Sequence, residues 1–219
     1  MINTIMLGLT LLSSPLNYSV DMSNARMLQG DLTNVLKVPV VVMVHQFNQE
    51  STDRFAEDVQ RALDAKQGIV PIVIDSYGGS IYSFLKMADI IQSLNVPVMT
   101  VCVSKCMSAG ILLLAMGTKG YRYSAPNATL LIHDASGETS GKVPDIMNDA
   151  HEIERLNFLI FSLLSKQTGH TADFYLKKLK NISNVDWYLR AEEAKELNIV
   201  NHVKMPKLKL TVETKVSIE

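Results

Sequence analysis

The chain has 219 residues and only two cysteines, Cys102 and Cys106. Two are too few for a disulfide framework, and a spacing of four across the end of an expected strand suits a bridge poorly. Two core-like thiols fit a reducing, cytoplasmic compartment. Charge of one sign is lacking as well: 21 Lys and Arg stand against 22 acidic residues, a formal net charge of −1. Neither nucleic acid nor an anionic membrane surface is implied as a partner. The apolar run Ile5 to Leu12 is too short to cross a bilayer, and no Lys or Arg precedes it as the basic region of a signal peptide requires. No metal-ligand cluster, P-loop or dinucleotide fingerprint is present, so no cofactor is expected and any use of ATP falls to a partner. The G-x-S-x-G elbow is missing too, because position 106 is Cys rather than Gly.

What the chain does have is an ordinary globular composition, 47% apolar and 20% charged, enough for one large domain with a sizeable core. Val38 to Val44 is a continuous β-branched run of the kind found in a strand covered on both faces. Phe55, Val59 and Leu63 recur every fourth residue, which predicts a helix capped by Ser51 or Thr52 and ended by Gly68. Ile69 to Ile74 is the next strand, and apolar residues at 81, 84, 85, 88 and 91 predict the next helix. Val98 to Val103 then reads as a buried strand and Ala109 to Met116 as a buried helix. This alternation is that of an α/β fold with a parallel sheet. Further on, Tyr121 to Tyr123 and Thr129 to His133 are short strands, Pro144 to Gly169 is one long helix, and Thr171 to Lys180 a short amphipathic one. Arg190 to Leu197 is a last helix and Ile199 to Val203 a last strand, followed by an alternating, polar tail.

Ser108 stands at the turn between the fifth run and its helix. A hydroxyl there lies beside unpaired backbone N–H groups, which suits a nucleophile whose reaction builds an oxyanion; a plain N-cap suits the position equally. Upstream, the Gly78–Gly79 pair allows a turn that aims an N–H at a substrate carbonyl. Downstream, His133 ends a β-like run and Asp186 precedes an expected helix, as an orienting acid or as a cap. Asp75 reads as a turn or capping residue, Cys106 as a small buried hydrophobe, and His151 and His170 as surface residues.

Four stretches taken together carry a resemblance: SYGGS at 76–80, KCMSAGILLLAMGTKG at 105–120, RYSAPNATLLIHDASGETSG at 122–141 and NVDWYLRAEEAKELNIVNHV at 184–203. In this order they resemble the proteolytic subunits of the caseinolytic protease, the ClpP family, over residues 38 to 204. The resemblance implies a ClpP/crotonase-like fold of repeated β-β-α spiral units with a protruding handle helix, the last falling on 144–169. It implies Ser108 as nucleophile, His133 as general base, Asp186 as orienting acid, and the backbone N–H groups of Gly79 and Ala109 as the oxyanion hole. Residues 134–145 resemble the strand and loop against which an extended substrate lies. Two stacked heptameric rings of identical subunits, an AAA+ unfoldase such as ClpX or ClpA, and polypeptide substrates complete the implied picture. Tyr77, Cys106 and Ala109 depart from the Pro, Ala and Met common in the family, and none of these removes a catalytic atom. Residues 1–37 carry no part of the resemblance and are expected to form an arm; 205–219 are expected as a tail. Three other readings share some of these features: an acyl-CoA enzyme of the crotonase type, a Ser–Lys peptidase of the signal-peptide-peptidase type with Lys105 or another Lys as base, and an inactive scaffold subunit.

Overall fold

The structure, a computed structural model, describes residues 16–21, 39–183 and 185–212. The first half alternates as its apolar periodicity predicts. After β1 (Leu16–Asp21) come β2 (Val42–Val44), α1 (Gln49–Asp64), β3 (Val70–Ser76), α2 (Ile81–Ser93), β4 (Val98–Met107) and α3 (Ala109–Ala115). Then follow β5 (Arg122–Ser124), β6 (Thr129–Ile132), α4 (Val143–Thr168), α5 (Ala172–Asn181), β7 (Trp187–Arg190), α6 (Ala191–Glu196), β8 (His202–Val203) and β9 (Lys207–Val212).

Parallel pairing runs β2–β3–β4–β5–β8 in one seven-stranded sheet. Alternate residues of the strands serve opposite faces, as the two-residue period of a strand requires. Ile72, Ile74 and Cys102 join the main core with the helices, while Val41, Val73, Met99 and Val101 form a smaller cluster on the other face, against Met205 and Leu208.

The strand that matters most is β4, because it forks. Its first half pairs with β5 through Thr100–Cys102, and its second half pairs with β6 through Lys105–Met107. Between Cys102 and Cys106 it advances four residues while β3 advances only from Ile74 to Ser76, so Val103–Lys105 bulge out. The fork sends β6 toward the end of β4, where β7 joins it antiparallel with Ile132 opposite Trp187. One buried side chain locks the other branch. Arg122, 2% exposed as a residue, donates from Nη1 to the Ala115 and Gln167 carbonyls and from Nε to Asn201 Oδ1.

Several boundaries differ from expectation. Asn48, not Ser51 or Thr52, caps α1: its Oδ1 accepts from the Ser51 N–H at 2.8 Å while Ser51 Oγ accepts from the Asn48 N–H at 3.0 Å. That helix closes on Ala65, ahead of Gly68. Asp186 precedes a strand, so it caps no helix. Residues 133–142 hold no strand. The expected strand 199–203 is reduced to His202–Val203, and β9 in the tail pairs with β1, Leu16 opposite Val212. Apart from β1, the expected arm of residues 1–37 lies outside the described residues, as do 213–219 of the tail.

Candidate active site

Ser108 joins β4 to the seven-residue α3 with φ 55° and ψ −123°, a backbone region in which side chains are rarely found. Its side chain makes no capping hydrogen bond, which removes the bland reading of the residue as an N-cap. Its N–H is tied to the Leu131 carbonyl at 3.0 Å, so β6 fixes the turn.

The Gly78–Gly79 turn lies directly against it. A Cβ on Gly78, at φ +108°, would stand 2.6 Å from the Ser108 Cβ, and one on Gly79, at φ +143°, would stand 2.5 Å from the Phe47 carbonyl oxygen. Glycine is therefore required twice, for conformation and for approach. The Phe47 N–H donates to the Gly78 carbonyl at 3.3 Å and the Ser80 N–H to the Phe47 carbonyl at 2.8 Å. In such a parallel bridge the N–H of the intervening Gly79 points away from Phe47. It does so beside a cavity of about 50 Å³ lined by Gly79, Ser108, Ala109, His133 and the apolar side chains of Ile81 and Phe161. Ala109 is the first residue of α3, whose opening N–H groups have no partner within the helix.

His133 follows the last residue of β6 and Asp186 precedes the first residue of β7. The antiparallel ladder ends at the Ile132–Trp187 pair, and the two residues directly follow and precede that pair. Ser108 and His133 are partly buried, and Asp186 is exposed and outside the cavity lining. Among the described residues no hydrogen bond or ion pair joins these three side chains. The structure thus gathers Gly79, Ser108, Ala109 and His133 in one cavity, with Asp186 outside its lining, one residue before β7.

The β4 bulge delivers Lys105 to a different task. Its Nζ lies 2.6 Å from Asp75 Oδ1, in a partly buried ion pair, and 4.5 Å from the centre of the Tyr77 ring. The hydrogen bond to Asp75 holds the ammonium above its ordinary pKa, against the smaller pull of desolvation. Asp75 is accordingly an ion-pair partner within β3, not a turn or cap residue. Cys106 is buried and free, its Sγ 3.7 Å from the Ile74 carbonyl oxygen, and burial pushes its thiol well above the usual range. That direction makes it a poor nucleophile. His151 is exposed, but His170 is half-buried and stacked on Phe174, with Nε2 shut away from solvent.

Two pairings lie outside what the sequence announces: Lys105 with Asp75, and Asn157 Nδ2 donating to Asp134 Oδ1 at 2.8 Å. The partners are 30 residues apart in the first case and 23 in the second, and neither pairing leaves a periodic or local signal.

The family model described as Clp protease matches residues 25–207. The ATP-dependent Clp protease proteolytic subunit 2 of Corynebacterium jeikeium (strain K411) is 38% identical over 157 residues, which span 69% of this chain and 73% of that protein.

Proposed function

The chain belongs to the Clp protease family, and from that membership we propose a mechanism for it in which Ser108 is the nucleophile, His133 the base and Asp186 the orienting acid. The protein is a serine-type peptidase, a proteolytic subunit of a Clp protease. One observation carries the assignment of Ser108. Its hydroxyl is free of any cap, on a turn with positive φ, in the same cavity as His133 and the Gly79 backbone.

In this mechanism a His133 ring nitrogen takes the Ser108 proton as Oγ attacks the carbonyl carbon of a peptide bond. The N–H groups of Gly79 and Ala109 receive the oxyanion, which is worth about 3 kcal/mol or more per donor in comparable sites. Collapse expels the amine with the proton that His133 carries, and water then repeats the sequence on the acyl-enzyme. Asp186 orients the imidazole and stabilises its charged form. A family-wide expectation follows for partners and place: an oligomer of this chain, two stacked heptameric rings, fed with unfolded polypeptide by an AAA+ unfoldase such as ClpX or ClpA, in the cytoplasm. No described helix is long and apolar enough to cross a membrane.

Lys105 does not suit the part of a Ser–Lys base. Such a lysine needs a lowered pKa, and the Asp75 ion pair raises this one. A second reading, a subunit activated by assembly, is favoured by the unmade hydrogen bonds among the three side chains, since catalytic contacts often tighten only on engagement. The decisive experiment is intact-mass spectrometry after fluorophosphonate treatment of the assembled protein, beside Ser108→Ala. A single adduct that the substitution abolishes supports the serine mechanism; an adduct that persists in Ser108→Ala, or none at all, rejects it.

A further inference from the structure

The base follows the end of a ladder on one side, and on the other the chain is tied to α4, nearest the imidazole by one side chain. On the β6 side, Ile132 is opposite Trp187. Beyond His133 the backbone has no regular structure up to α4. Farther along, Thr139 Oγ1 donates to Asp149 Oδ2 at 2.6 Å; next to the base the restraint is Asn157, on α4. Its Oδ1 accepts from the Ala135 backbone N–H at 2.8 Å, and its Nδ2 donates to Asp134 Oδ1 at 2.8 Å. Only one orientation of the amide satisfies both partners. Turned over, its NH2 would meet an N–H and its oxygen a carboxylate.

The support is rigid. Asn157 is partly buried and lies between Leu156 and Ile160, both packed into the interior at 5% and 4% exposure. Asp134 and Ala135 line the same cavity as His133 and Ser108. Two hydrogen bonds from one anchored side chain therefore fix the two residues that directly follow the imidazole.

We infer that Asn157 is a positioning residue for His133, acting through Asp134 and Ala135 and making the aim of the base depend on the seat of α4. The inference rests on His133 being the base. Peptide hydrolysis by the assembled full-length chain tests it, in Asn157→Ala, Asn157→Asp and the exchange Asp134→Asn with Asn157→Asp, with His133→Ala as control. Asn157→Asp keeps an acceptor for Ala135 but sets carboxylate against carboxylate; the exchange restores a donor at 134 facing an acceptor at 157. The expected result is a kcat lowered about 10- to 100-fold in both single variants, with KM within about twofold. The exchange is expected to return kcat to within about threefold of the parent. Parental kcat in the single variants with His133→Ala inactive overturns the positioning role and leaves the base standing. Should the single variants fail to assemble, the exchange decides alone: recovery supports the role and no recovery overturns it. An active His133→Ala removes the base assignment and the positioning role with it.

Discussion

Ser108, the proposed nucleophile, sits on a strained backbone. A non-glycine residue at φ 55° and ψ −123° costs about 1 to 3 kcal/mol. Ser108→Gly is thus expected to raise the thermal midpoint by a few degrees while abolishing hydrolysis, whereas Ser108→Ala abolishes hydrolysis without that gain; calorimetry on the two variants separates them. Gly78→Ala should lose both stability and reactivity. Its Cβ would strike the Ser108 Cβ at 2.6 Å, so serine labelling is expected to slow more than about 100-fold, with a loss of stability as well. Lys105→Met removes an ion pair and is expected to leave fluorophosphonate labelling within about tenfold of the parent; a collapse as complete as that of His133→Ala would return the Ser–Lys reading. Ser108 and His133 stood out as candidates in the sequence because the first lies at the turn between two apolar runs and the second ends one. Asn157 was not, because a polar residue on a helix announces no partner, and its own are contributed by a loop without periodicity.

At the scale of elements, the first three strand–helix units could be read directly, since long apolar runs and fourfold spacing dominate there. The caps were harder. Asn48 and Ser51 satisfy each other, and only coordinates distinguish that from a helix starting at Ser51. The fork of β4 was invisible, because pairing with β5 in one half and β6 in the other is a property of partners, not of the strand's own residues. Arg122 holds one branch of that fork, so Arg122→Met, which strands one buried and one partly buried carbonyl, is expected to lower stability by about 3 kcal/mol, read from urea unfolding. Where α4 meets α5, burial raises the Tyr175 phenol from 10.0 to about 12, opposed by its hydrogen bond with Thr168. A raised folded pKa means that this stabilisation is whole below about pH 10 and is lost as the pH climbs toward 12. The Lys105 ammonium, also raised, acts in the same direction. The thermal midpoint should fall over that interval, and Tyr175→Phe should flatten the fall.

For the whole molecule, α4 is the informative element. Its 26 residues extend about 39 Å, and only its second half packs on the core, through Leu156, Ile160, Phe161 and Leu164. The first half exposes Val143, Ile146 and Met147, the last at 56%. An apolar face of this kind is expected to be covered by another copy of the chain. Ile146→Glu combined with Met147→Glu should therefore shift sedimentation toward smaller species, while the circular dichroism of the subunit stays unchanged. The positive φ of Ser108 has a consequence on the scale of descent as well. Under the proposed mechanism, cutting requires serine against a standing stability gradient toward glycine, so a lineage freed from that requirement gains from a Ser-to-Gly change at once, whereas the return must be made uphill. Loss of the nucleophile in such a lineage would behave as a ratchet, and glycine at position 108 would be its mark.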